Sequence, residues 1–89
     1  MRSRDPAAPL MRALARRSGA GVTLRHDGMT PWSSATFVGH QHRVAVTGCT
    51  GWTAGLDEVE LPLPGGFVAS IDVTPTIDGA MLTVLVLDD

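Results

Sequence analysis

Residues 39–48 read "GHQHRVAVTG", and the pairing of this stretch decides the fold. Were 35–47 one continuous strand, Thr36, Val38, His40, His42, Val44 and Val46 would share a face. Phe37 would then point the other way, beside Gln41 and Arg43. That separates the apolar residues poorly, whereas an antiparallel sheet with one solvated side asks for clean alternation. A turn at His40-Gln41 sets Phe37 opposite Val44 and Ala35 opposite Val46 on one face. Thr36, Val38, Arg43 and Ala45 take the other, and Gly39 supplies permissive backbone beside the turn. The pattern therefore predicts a hairpin of strands 32–38 and 42–47.

Before this hairpin, Leu10, Met11 and Leu14 form an apolar stripe at helical spacing, with Arg12, Arg16 and Arg17 largely on other faces. The helix is expected to start near Pro6 or Pro9, with Asp5 as N-cap for the earlier start. Gly19 or Gly21 ends it. "VTLRH" (22–26) alternates like a half-buried strand, and "DGMTP" (27–31) has the chemistry of a turn.

After the hairpin, residues 48–58 read as a loop with a short helical turn. "VELPLPGG" (59–66) is expected to form a short edge segment. "FVASIDVT" (67–74) is expected to turn Phe67, Ala69, Ile71 and Val73 inward and Ser70, Asp72 and Thr74 outward. Residues 81–87 form a nearly wholly apolar final strand. Such a strand should be covered on both faces, by the helix and by a partner subunit.

The chain has 89 residues, 44% hydrophobic and 18% charged, which suits one small domain over 1–89. A domain of this size buries only roughly 60–65% of its unfolded surface, so oligomerisation is a natural supplement. A single cysteine, Cys49, rules out an intrachain disulfide and favours a reducing, cytoplasmic setting. No segment approaches the roughly 20 apolar residues of a membrane span. Arg12, Arg16 and Arg17 interrupt the apolar stretches near the start, so no secretory signal is expected there.

Charge is unevenly spread. Six of the seven basic residues lie at or before position 26, and seven of the nine acids lie from position 57 onward. The net charge of −2 and the scarcity of aromatic residues argue against nucleic-acid binding by the N-terminal arginines. The arginines read instead as a solvated helix face, or as a complement to the acidic half of a second copy.

The candidate chemical groups are few. His40 and His42 suggest a metal pair, but zinc needs three or four ligands, and His26 and Cys49 are the only other soft donors. A nucleophilic Cys49 would need a base such as His42 or His26, yet a lone cysteine is more often a small buried hydrophobe. Gly48, Gly51 and Gly55 match no phosphate-binding spacing. Asp57, Glu58 and Glu60 read as a solvated turn. No cofactor or metal site is expected. Trp32 and Trp52 flank loops, where tryptophan caps a core or anchors an interface.

"PWSSATFVGHQHRV" (31–44) and "ELPLPGGFVASIDV" (60–73) together resemble a family of small bacterial α+β proteins to which no activity is attached. Its first block, W-x-S-A-T-F-x-G-x-x-H, corresponds to Trp32, Ser34, Ala35, Thr36, Phe37, Gly39 and His42. A later L-P-x-x-G-x-x-V-A-x-I block fits loosely through Leu63, Pro64, Gly66, Ala69 and Ile71. The likeness covers about half the chain, and the short 48–58 link departs from the longer helix expected there. The resemblance implies a compact α+β domain and no particular reaction.

These readings converge on an α+β fold, with an N-terminal helix packed on an antiparallel sheet of about five strands. The expected role is non-enzymatic: a self-associating interaction or ligand-binding module, as a dimer, with Trp32, Trp52, Leu85 and Leu87 at the interface. The alternative is a small enzyme or ligand-binding protein with a His26, His42 and Cys49 pocket at the end of the sheet.

Overall fold

The computed structural model describes residues 7–58, 61–63 and 66–88. One helix packs on one face of an antiparallel sheet, as the sequence predicts. Helix α1 spans Ala8–Ser18, with Pro9 in its first turn and Arg16 and Arg17 in its last. Its N-cap is Ala7, which makes no side-chain capping bond. The expected Asp5 cap lies outside the described residues. Gly19, at φ +76°, ends the helix in a conformation that costs other residues strain.

Among the described residues four long strands make the sheet, rather than the expected five or so. They are β1 (Val22–Ser33), β2 (Val38–Gly48), β4 (Gly66–Thr76) and β5 (Gly79–Asp88). Only a two-residue strand, β3 (Pro62–Leu63), adds to them, at the start of β4. The order is β1-β2-β5-β4-β3, and every pairing is antiparallel. The last strand thus inserts in the middle. Its apolar residues suit that place, because a central strand meets neighbours on both sides and on its faces.

The central hairpin differs from the one expected. His40 and Gln41 are not a turn; they lie inside β2, opposite Pro31 and Thr30 of β1. The turn falls at Ser34–Phe37, where the Ser34 amide donates to the Phe37 carbonyl at 2.8 Å. The Ser34 hydroxyl accepts from the Thr36 and Phe37 amides at 3.3 and 3.1 Å. A serine that satisfies two turn amides competes with strand pairing at that point. The expected 32–38 strand is therefore split, with Trp32 and Ser33 ending β1 and Val38 opening β2.

"DGMTP" is likewise not a turn. The register jumps from His26↔Val44 to Gly28↔Arg43, so Asp27 is an extra residue bulged out of a continuous strand. Pro31 is tolerated because β1 is an edge strand and its missing amide faces no neighbour. A second irregularity between Val68 and Ser70 makes Ala69 the extra residue in β4. This one-residue slip moves Phe67 to the side opposite Ile71, correcting the expectation that both point inward.

Register sorts the side chains into two faces. Leu24 and His26 of β1, Val44 and Val46 of β2, Ile71 of β4, and Leu82 and Val84 of β5 lie on the helix side. Leu10 and Leu14 of α1 close over them, and both are essentially inaccessible. Each such leucine contributes roughly 1.5–3 kcal/mol by leaving water. Leu56 and Leu61, from the link between β2 and β4, complete this core. That link holds two short 3-10 turns, Gly51–Thr53 and Leu56–Glu58, instead of a long helix.

Candidate functional site

Three histidines gather on the helix side of the sheet. Continuous pairing of β2 puts His40, His42, Val44 and Val46 on one face, and His42 is only 1% exposed. The bulge at Asp27 keeps His26 on the same face as Val44, next to His42. His26 Nε2 and His42 Nδ1 lie 2.9 Å apart, a hydrogen bond in which one ring donates and the other accepts. The two ring centroids are 5.2 Å apart. This bond is what allows a polar ring to sit in the core of β2.

The third histidine stands further off, with its ring centroid 6.3 Å from that of His42. Among the described residues, no group of three or more His, Cys, Asp or Glu is arranged to hold a metal ion.

Cys49 does not join the histidines. It follows Gly48 at the other end of β2, seven residues beyond His42, or roughly 23 Å along an extended strand. It is also exposed, contrary to the expectation of a small buried hydrophobe. The reason is local: β2 ends at Gly48, whose φ of +109° turns the chain away from the sheet. Cys49 should therefore be labelled by a thiol reagent in the folded protein, at a rate close to that of the urea-unfolded chain. Labelling slowed more than about 100-fold by folding, equivalent to about 2.7 kcal/mol of protection, would contradict its placement.

The surface hollows lined by described residues include two on the sheet. One, of about 410 Å³, sits between α1 and β1 and is lined by Met11, Arg12, Ala15, Ser18, Val22 and Leu24 among others. The second, of about 320 Å³, opens near Thr23, Arg25, Ala45, Thr47 and Met81. Neither is lined by His26, His42 or Cys49.

The sheet face away from α1 has a different character. At one end the registers align Trp32, Gly39, Leu87 and Phe67 in a row across the four long strands. Gly39 is required there. A Cβ at this position would lie 2.8 Å from the Leu87 Cα and would also collide with the Val86 carbonyl. Phe37 joins from the turn, edge-on to Phe67 with centroids 6.1 Å apart. Phe37 is 42% exposed and Phe67 39%, so neither faces the core as the sequence reading supposed. Leu87 is buried but stands apart from the main core cluster.

The next row holds Thr30, Gln41, Leu85 and Ser70. Beyond it the face turns polar. Asp27 bonds the exposed guanidiniums of Arg25 and Arg43, each at 3.2 Å, and Asp72 pairs with Thr83 in register. Such exposed ion pairs contribute little stability, roughly 0–1 kcal/mol each.

Of the interface candidates, Trp32, Leu85 and Leu87 share this face. Trp52 does not. It packs against the main core, and its indole N–H donates to the Cys49 carbonyl at 2.9 Å. The two phenylalanines that join the patch were assigned inward because their strands were read without the Ala69 bulge and the Ser34 turn.

The chain matches no family model, and no curated protein or solved structure matches it at a significant level. No helix among the described residues is long and apolar enough to cross a membrane.

Proposed function

We propose that this is a non-enzymatic, cytoplasmic interaction module that works by self-association through the sheet face opposite α1. We group it, on its Trp32–His42 block, with the small α+β proteins it resembles. The observation that carries the reading is the aromatic end of that face. Trp32, Phe37, Phe67, Leu85 and Leu87 come from β1, β4 and β5 and from the β1–β2 turn, and Phe37 and Phe67 remain accessible. Burial of such a patch is the usual drive for association.

Two further features favour a face over an edge. The free edge of β1 carries the Asp27 bulge and Pro31, and β4 carries the Ala69 bulge, Asp72 and Pro75. Bulges, prolines and charges are devices that block edge-to-edge pairing. The face is also close to the size that an interface needs. Four strands about 4.8 Å apart and about ten residues long offer roughly 600 Å² in projection, and more along the side-chain relief. A stable interface takes about 800 Å² from each partner.

Nuclear magnetic resonance on dilution tests this. Amide and methyl signals of Trp32, Phe67, Leu85 and Leu87 are expected to shift with concentration, while those of Leu10, Leu14 and Val44 stay fixed. Shifts confined to α1, or none over a thousandfold dilution, would refute it.

A further inference from the structure

The self-association proposed above has a definite geometry. We infer that two copies stack face to face about a two-fold axis parallel to the strands, running between β2 and β5. This inference rests on the self-associating reading and names how the second copy sits.

A two-fold axis in the plane of the interface has two simple orientations relative to the strands. Parallel to them, it exchanges β1 with β4 and β2 with β5 and keeps each row at its own height. Perpendicular to them, it keeps each strand over itself and exchanges the two ends of the face. The ends differ strongly. One carries the Trp32–Gly39–Leu87–Phe67 row, and the other the Thr23–Thr47–Gly79–Thr76 row. The perpendicular axis would set aromatic rings on threonines and leave both patches half covered. The parallel axis sets each row on its own kind.

Two rows then gain particular contacts. Trp32 meets Phe67 of the second copy, beside Leu87 and Gly39, which are already buried within each chain. Met81 meets Ala45, at the hollow that Ala45 lines together with Thr23 and Arg25. That pair sets a large residue of one central strand on a small one of the other, as interdigitating sheet packing requires.

Charge complementarity points the same way. The row through Arg43 and Thr83 ends at Asp72 on β4. Exchange of β1 with β4 carries Asp72 of the second copy over the β1 side of this row, next to Arg43 and one row from Arg25. Both guanidiniums are mostly exposed, with Asp27 as a carboxylate partner within the chain. The same contacts form twice, as in any isologous pair.

Cross-linking of single-cysteine variants tests the arrangement. Thr30 and Ser70 lie in one row, on β1 and β4, and both are exposed. In one sheet they are three strand spacings apart, roughly 14 Å, whereas stacked sheets are about 10 Å apart. Thr30→Cys and Ser70→Cys, each with Cys49→Ser, are mixed in equal amounts and treated with a bismaleimide of reach near the stacking distance.

The mixture is expected to give a cross-linked heterodimer, at least ten times more than either variant alone, since each of these residues sits far from its own copy. A preferential Thr30→Cys to Arg25→Cys cross-link would show the perpendicular axis and overturn the arrangement. A dimer by sedimentation that gives neither cross-link would also overturn it, while leaving self-association intact. A monomer by sedimentation would remove both this geometry and the reading on which it rests.

Discussion

Leu82→Ala is expected to remove roughly 3–5 kcal/mol of folding stability, the range for truncating a fully buried leucine that leaves a cavity. Leu82 has no accessible surface, lies opposite Val44 on one side and Val73 on the other, and belongs to the main core cluster. It sits on the central strand, where α1 above and β2 and β4 beside it restrict any collapse into the void. A small domain has only about 0.05–0.15 kcal/mol per residue in hand, so this one change takes a large share. Unfolding in urea, followed by tryptophan fluorescence at fixed protein concentration, should show the midpoint falling by a third or more. The melting temperature should fall by about 12 °C or more, at roughly 4–8 °C per kcal/mol for a domain of this size. A loss under about 1 kcal/mol would mean that the β2–β5–β4 register is wrong.

Phe37→Asp with Phe67→Asp should leave the fold nearly unchanged and weaken self-association about a thousandfold or more. Both rings lie outside the main core cluster and are about two-fifths exposed, so replacing them leaves the main core's burial intact. In the associated form the two-fold axis doubles every change, and four carboxylates would enter an apolar contact. A thousandfold loss corresponds to about 4 kcal/mol, about 1 kcal/mol for each of the four rings. That is within what burial of an aromatic side chain supplies at roughly 25 cal/mol per Å². Ile77→Asp is the control. Ile77 is more exposed than either ring but lies in the β4–β5 turn, off the proposed contact. Sedimentation equilibrium should separate the double variant from the control, and equal behaviour of the two would exclude the aromatic end as the contact.

The parts of this fold that were legible in the sequence are those carried by periodicity. The Leu10–Leu14 stripe and Gly19 mark the helix, and the apolar run from Met81 to Leu87 marks the central strand. The errors came from single residues whose usual meaning was overridden. Asp27-Gly28 and Pro31 are turn residues in most settings, but here they sit in a bulge and on a free edge of a 12-residue strand. Ser34 forms the turn through its hydroxyl, a signal too common to be decisive in a sequence.

The histidines were misplaced for a related reason. A face carrying His40, His42, Val44 and Val46 reads as poorly sorted when each residue is judged alone. Its sorting becomes clear once His26, sixteen residues earlier, bonds His42. That contact depends on the Asp27 bulge, which periodicity does not reveal. The site candidates divide along the same line. Trp32, Leu85 and Leu87 share a face because β1, β2 and β5 hold regular register there, whereas Trp52 is drawn to the core by the short turns after β2. Phe37 and Phe67 were missed as surface residues by the same turn and by the Ala69 bulge.

The most direct test of the self-associating module is sedimentation equilibrium of the unaltered chain, without a tag, from micromolar to millimolar concentration. The chain weighs 9.4 kDa. The apparent mass is expected to rise with concentration and level off at twice that value, with the dimer as the largest species. A mass that stays at one chain across the whole range would contradict the account.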